Sequence, residues 1–325
     1  PVAWRCEAAD YLDVLVPPTS VVDKYSRGSV LVVGGSTRFP GAAIMAAKSA
    51  ARAGAGYVTL AVPEPIANLC RTHLLEIPVV GLPADADGTF SNEARAQVAQ
   101  LAERRSAVLV GPGMCVTGGT VGVVSTLLES EAPLVIDADG LNSLARLTSN
   151  RLDEFPELLR RKAPLVLTPH RRELGRLVGL TDAAPNSLTS ALEAARRIVW
   201  ADGGSELVVV AKGTATACVG VEIAMLPKPG PACLATAGSG DVLAGITAGL
   251  LARGVETESL PTLTAFACEV HGYAASIAQE RFGTRGVMAA DIIDCVGLAV
   301  DAVEDRAAFS GADDMAPSDE DDARN

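Results

Sequence analysis

Residues 29–33 read Ser-Val-Leu-Val-Val, a short apolar run with no polar alternation. A strand buried on both faces needs no polar side, so the run fits the middle of a parallel sheet. Gly34-Gly35 ends it, and an Ala-rich stretch over 41–53 then shows helical spacing and closes at Gly54. The alternation repeats. Strands are predicted over 57–62, 107–110, 133–136, 164–167 and 207–211. Helices are predicted over 91–104, 118–130, 142–149, 171–179 and 187–202, and again over 242–251. Alternating strands and helices predict an α/β fold, a mostly parallel central sheet with helices on both faces. No linker, internal repeat or domain break is visible before residue 303, so 1–302 reads as one domain.

In such sheets ligands bind beyond the carboxyl ends of the strands. The polar and Gly-rich clusters fall at those ends: Gly34-Gly35, Gly111-Pro-Gly113, Asp137 with Asp139, His170, Lys212-Gly213 and residues 238–241. Each has a purely structural reading. Gly-Pro-Gly makes a turn, the aspartates cap the following helix, His170 hydrogen-bonds at a helix start, and Lys212-Gly213 turns a hairpin. Six such clusters on one rim point instead to a site.

The most informative segment is Thr236-Ala-Gly-Ser-Gly-Asp-Val-Leu-Ala-Gly245. Gly238 and Gly240 flank Ser239, so the backbone can turn tightly and aim several N–H groups one way. A helix starting there adds the positive end of its dipole, which makes an anion site. Asp241 stands at its mouth. A carboxylate repels a bound phosphate, so it fits there as a base that takes a proton from a substrate hydroxyl while the amides stabilise a transferring phosphoryl group. The structural alternative is an N-cap. Two other phosphate motifs fit poorly. Residues 34–41 lack G-x-G-x-x-G and a following acidic strand end, and no G-x-x-x-x-G-K-[ST] is present.

Composition narrows the partners. The chain has 325 residues, 49% of them hydrophobic and only 4% aromatic, which suits closely packed Ala, Val, Leu and Gly. The net charge is −12. Half of it lies between Val303 and Asn325, where eight acidic residues face two basic ones. The body is therefore mildly acidic, which argues against nucleic acid. Residues 303–325 are expected to form an acidic, disordered tail. The seven cysteines (6, 70, 115, 218, 233, 268 and 295) form no C-x-x-C pair and read as small buried hydrophobes in a reducing cytosol. Arg5, Glu7, Asp10 and Asp13 argue against a signal peptide, and no apolar run reaches the length of a membrane span.

Beyond the decapeptide, the chain carries Pro40-Gly-Ala-Ala43, Gly111-Pro-Gly-Met114, Asp137-Ala-Asp-Gly-Leu-Asn142, Leu167-Thr-Pro-His-Arg-Arg-Glu-Leu174, Ala211-Lys-Gly-Thr-Ala-Thr216 and His271-Gly. With these motifs the sequence resembles the ADP/ATP-dependent NAD(P)H-hydrate dehydratases of the ribokinase-like superfamily, over roughly residues 10–300. The decapeptide marks the superfamily. The Thr-Pro-His-x-x-Glu and Asp-Ala-Asp-Gly-Leu-Asn motifs mark the family.

The resemblance implies repair of NADH and NADPH hydrated on the nicotinamide ring. Asp241 would deprotonate the ring hydroxyl, which attacks the terminal phosphate of ADP or ATP, and the phosphate ester then leaves. It implies substrate contacts at Ala42 or Ala43, Gly113, His170 and Asp241. It implies nucleotide contacts at Lys212, Gly213, Thr214, Ala215, Thr216, Gly238, Ser239 and Gly240, with Mg²⁺ on the phosphates. Asp137 and Asn142 are further candidates for water or metal-phosphate contacts. The layout leans to ADP, and the family relation implies a cytoplasmic homotetramer. With about 28 residues before the first predicted strand, the epimerase that interconverts the two hydrates is expected to be a separate protein. One departure concerns residues 230–233: Gly-Pro-Ala-Cys stands where the family often has Gly-Asn-Pro-Gly, which weakens nucleotide contacts from this loop. Ser239 replaces a frequent Thr and keeps the hydroxyl.

A ribokinase-like kinase acting on a vitamin-precursor alcohol would use the same base and stop at the phosphate ester. A non-catalytic nucleotide binder has no need of Asp241. A hydride-transferring oxidoreductase lacks its dinucleotide fingerprint.

Overall fold

The apolar runs become the middle of a ten-stranded sheet. This computed structural model describes residues 3–15, 27–149, 161, 163–180, 184–202, 206–254 and 259–314. The strands are β1 (Ala3–Arg5), β2 (Ser29–Val33), β3 (Tyr57–Pro63), β4 (Val79–Leu82), β5 (Ala107–Val110), β6 (Leu134–Ile136), β7 (Leu165–Leu167), β8 (Leu207–Ala211), β9 (Ala217–Val219) and β10 (Ala224–Leu226). The α-helices are α1 (Pro40–Arg52), α2 (Glu64–His73), α3 (Ala94–Ala102), α4 (Gly118–Leu128), α5 (Asp139–Leu147), α6 (Arg171–Leu177), α7 (Leu188–Asp202), α8 (Ser239–Leu251), α9 (Leu260–Phe282) and α10 (Ala289–Asp314).

The strand order is β1-β10-β9-β8-β7-β6-β5-β2-β3-β4. Only β9 runs against its neighbours, pairing antiparallel with β8 and β10. From β2 the chain moves outward to β3 and β4, then crosses back to β5 on the other side of β2. The gap beyond the ends of β2 and β5 is thus the topological switch point, where such sheets bind ligands.

Each strand feeds two cores, which explains its continuous apolarity. Leu31, Val33, Val110, Ile136, Leu167 and Val209 face one core with residues of α3 to α7. Val30, Val32, Leu109, Val135, Val166 and Val208 face the other with residues of α1, α2, α8, α9 and α10. The six predicted strands and the seven predicted helices up to residue 251 are all present, but α2 (Glu64–His73) forms in a stretch the pattern left unassigned.

The rest of the chain holds elements the periodicity did not assign. Strands β1, β9 and β10 are only three residues long, and Gly81 interrupts β4. Helix α9 is buried around most of its girth, so no polar face marks it. Helix α10 overturns the expectation of a disordered tail from 303. Residues 303–314 continue this helix. Val303 and Ala307 are buried, and Glu304 accepts a hydrogen bond from Arg253 Nη1 at 2.7 Å. The acidic residues here are the wet side of a packed helix, not the mark of an unfolded segment. Residues 315–325 lie outside the described residues.

Two glycine contacts set how closely α1 and α8 approach. A Cβ on Gly245 of α8 would stand 2.3 Å from the Ala46 carbonyl oxygen on α1, and one on Gly249 would stand 2.5 Å from that of Ala50. The two helices therefore touch backbone to backbone. Gly245→Ala is expected to wedge them apart and to cost about 1–3 kcal/mol. The measurement is urea unfolding, with a lower midpoint at an unchanged slope. Wild-type stability would show that the pair yields freely.

Candidate active site

Helix α8 begins at Ser239, three residues earlier than its apolar run suggests. Gly238 is its N-cap, with φ +87°. A side chain there would be strained and would also strike Met45 Cε at 2.6 Å. Asp241 is thus the third residue of the helix, and the N-cap alternative does not hold. The first amides of a helix have no partner within it. Ser239 N–H turns back to Thr236 O at 3.3 Å and Val242 N–H to Gly238 O at 3.1 Å. The amides of Gly240 and Asp241 lie between them at the positive helix end.

A cation stands beside that end. Lys212 Nζ is 3.4 Å from the place a Gly240 Cβ would occupy. It donates to Asp137 Oδ1 at 2.7 Å, and Thr168 Oγ1 donates to the same oxygen at 2.7 Å. The Lys212 side chain is 18% exposed and that of Asp137 only 2%. Burial opposes the Lys212 charge, but Asp137, Glu173 and Asp241 outweigh it and raise its pKa. The Asp241 carboxyl is also raised, out of its usual carboxylate range. Burial, helped by the charges of Asp137 and Asp139, pushes it up to about 7 against the pull of Lys212.

Backbone geometry brings these groups together. Lys212 N–H donates to Pro169 O at 2.9 Å beyond β7 and β8, which sets Lys212 beside His170. Gly111 has φ +125°, and a Cβ there would lie 1.8 Å from the Asp137 carbonyl oxygen. Ala138 holds φ 51° between the two carboxylates. Asp139 accepts from Cys115 N–H at 2.9 Å and from Asn142 Nδ2 at 3.2 Å. Asn142 in turn accepts from Arg176 Nη1 at 2.6 Å.

His170 is the N-cap of α6, so its structural reading is realised. Its Nδ1 accepts from Arg172 N–H at 3.1 Å and Glu173 N–H at 3.2 Å, and Glu173 Oε2 accepts from His170 N–H at 2.9 Å. Two donors at Nδ1 place the ring proton on Nε2. Burial and the Lys212 charge hold the imidazole below its ordinary pKa, hence neutral near pH 7. Burial pushes Glu173 up to about 7. Still, the ring is exposed on the rim.

Ala42, Ala43 and Gly113 meet at the switch point. A Cβ on Gly113 would stand 3.0 Å from Ala42 Cβ, and ones on Gly34 and Gly35 would stand 3.4 and 3.3 Å from Ala43 Cβ. Gly35 N–H donates to Pro112 O at 2.7 Å, and Ser36 Oγ to Gly113 O at 2.7 Å. Small residues thus leave a wall where flat ligands can approach the backbone. Asp139 accepts from the Cys115 amide beside this wall, and its charge reaches Asp241 and raises that carboxyl. Residues 212–216 form the β8–β9 hairpin, as their structural reading had it. Lys212 turns inward, Gly213, Thr214 and Ala215 form the exposed tip, and Thr216 Oγ1 donates to Gly213 O at 3.3 Å.

Four neighbours stand in motifs the sequence analysis quotes, but it gives them no role of their own. Thr168 supports Asp137, Glu173 closes the cap on His170, and Arg171 lies alongside Gly213. His271 holds Ser239, with Nε2 to Oγ at 3.1 Å. Only Glu173 had a readable signal, its three-residue spacing from His170.

The site can be set against known proteins. Residues 30–297 match the family model for NAD(P)H-hydrate dehydratase. The chain is 39% identical over 280 residues to the bifunctional NAD(P)H-hydrate repair enzyme of Salinibacter ruber, which covers 84% of this chain and 48% of that protein. It thus spans about half the length of such bifunctional relatives. It is 34% identical over 274 residues to the ADP-dependent (S)-NAD(P)H-hydrate dehydratase of Xanthomonas campestris, covering 83% of this chain and 87% of that one. Among solved structures, the ADP/ATP-dependent NAD(P)H-hydrate dehydratase of Bacillus subtilis, co-crystallised with ATP and Mg²⁺, superposes with a TM-score of 0.71 at 25% identity. It covers 89% of this chain and 94% of that one. A ribokinase-like superfamily protein of Enterococcus faecalis, 20% identical with a TM-score of 0.73 over 92% of this chain and 95% of its own, shows the fold to be ribokinase-like.

Proposed function

The chain belongs to the NAD(P)H-hydrate dehydratase family, and on that premise we propose that it dehydrates hydrated NADH and NADPH with ADP as the driving nucleotide. The observation that carries the reading is Asp241, a carboxylate with a pKa near 7 at the open end of α8 beside Lys212. A base poised near the working pH is what proton abstraction from an alcohol asks for. The relative from Xanthomonas campestris, named as ADP-dependent, supports ADP over ATP.

The steps follow from chemistry. Hydroxide is a poor leaving group and phosphate a good one. Asp241 takes the proton of the ring hydroxyl, and the oxygen attacks the terminal phosphorus of ADP, releasing AMP. The C–O bond then breaks and phosphate departs, and loss of a proton from the neighbouring ring carbon to solvent restores the ring double bond. The amides of Gly240 and Asp241 at the start of α8 and the Lys212 ammonium meet the charge on the transferring group. Ala42, Ala43, Gly113 and His170 receive the hydrated dinucleotide, and the 213–216 tip with Gly238, Ser239 and Gly240 receives the nucleotide.

Among the described residues magnesium finds no protein cage, since no three His, Cys, Asp or Glu are grouped to hold a metal. Asp137 is already bonded to Lys212 and Thr168, and Asp139 to Cys115 and Asn142. Any Mg²⁺ therefore enters on the nucleotide phosphates, as this ion commonly does. No step above runs through it. Among the described residues no helix is long and apolar enough to cross a membrane. A cytoplasmic homotetramer working alongside an epimerase completes the reading, carried by family resemblance alone.

The test is direct. The purified chain is mixed with hydrated NADH, Mg²⁺ and either ADP or ATP, and the near-ultraviolet absorbance of reduced nicotinamide is followed. Nucleotide-dependent recovery, faster with ADP, is expected. No recovery with either nucleotide, or accumulation of a stable phosphorylated alcohol, would overturn the reading.

A further inference from the structure

We propose that His271 is a positioning residue that fixes the Ser239 hydroxyl inside the anion-binding turn, so that the turn is set before the nucleotide arrives. This rests on the reading of residues 237–241 as the phosphoryl site. His271 and Ser239 are 7% and 5% exposed, 32 residues apart, on different helices. Their 3.1 Å contact pairs two buried polar groups that would otherwise carry an unmet desolvation cost.

The platform beneath His271 is held from several sides. Gly272 and Gly230 pack backbone to backbone, with a Gly272 Cβ only 3.2 Å from Gly230 Cα. Cys233 Sγ donates to Ala275 O at 3.5 Å. Tyr11 OH donates to Glu269 Oε2 at 2.8 Å, and its ring meets Phe266 edge-on at 5.5 Å. Helix α9 is thus tied to the loop that leads into the turn. Burial, then the Lys212 charge, pushes the imidazole down to about 4. The ring stays neutral near pH 7 and orients the hydroxyl without adding a charge to the site.

A packing role and a positioning role differ in how mutations combine. A double-mutant cycle compares wild type, Ser239→Ala, His271→Leu and the double variant, with ADP binding read by calorimetry and melting temperature read beside it. Each single change is expected to weaken ADP binding by about 3- to 10-fold, and the double variant no further. In the dehydratase assay the KM for ADP rises while that for hydrated NADH holds. His271→Asn, a smaller change that keeps polar atoms at this position, provides the comparison should the leucine variant fail to fold. Losses that multiply in the double variant, or His271 variants that bind ADP as wild type does, would overturn the proposal. ADP binding needs no turnover, so a chain that binds ADP but restores no NADH would sink the dehydratase reading and leave the cycle decisive. A wild-type chain that does not bind ADP would sink both.

Discussion

Asp241→Asn is expected to lower kcat by about 10²–10⁴-fold, the usual weight of a positioned base, while ADP binding stays within a few fold. The change is isosteric, so α8 and its amides are kept. The amide cannot take a proton. It also removes a negative charge beside the phosphates, so nucleotide affinity should hold or improve. The same residue sets the pH dependence. Burial first, then Asp137 and Asp139, raises its pKa to about 7. Near pH 5 it is mostly protonated and idle; above pH 8 it is ionised and competent. In wild type, kcat should therefore rise with pH through about 7, and the Asn variant should lose that limb. Glu173 is pushed up to about 7 as well, so it could mimic the effect. Glu173→Gln keeps the limb if Asp241 is the base. Near wild-type turnover in Asp241→Asn, or a limb that follows Glu173, would remove Asp241 from the mechanism.

The sequence shows the sheet because burial on both faces leaves an unbroken apolar run, as in Val30, Leu31, Val32 and Val33, all fully buried. It shows the rim because glycines and carboxylates cluster where such runs stop. It does not show what α9 does, since a helix buried on most sides carries no period to read. Charge on α10 reads as disorder because composition cannot tell a solvated face from a solvated chain. Within the site, Asp241 and Lys212 stand out individually, but their coupling does not. Lys212 and Asp137 are 75 residues apart and meet because β6 and β8 both flank β7. Pairings of that kind follow from topology and not from local spacing. For the same reason the raised pKa of Asp241 is invisible in the chain, as it depends on burial and on charges delivered by other strands.

Lys212→Met should reduce kcat/KM for ADP by about 10²–10³-fold, the cost of one donor aimed at developing charge. It should also destabilise the fold by about 3–5 kcal/mol, because breaking a buried ion pair strands its partner. The stranded group is Asp137, 2% exposed, left with Thr168 as its remaining side-chain donor. The two losses have separate causes and can be separated. In Lys212→Met/Asp137→Asn the buried charge is gone, and the Asn oxygen can still accept from Thr168. Urea unfolding of the double variant should return most of the stability, while steady-state kinetics stay as poor as in the single variant. Recovery of both would mean that Lys212 serves only to neutralise Asp137, and that the amides of α8 hold the phosphoryl group without it. Loss of activity with no loss of stability would mean instead that the pair adds nothing to the fold and that its geometry is kept for the nucleotide alone.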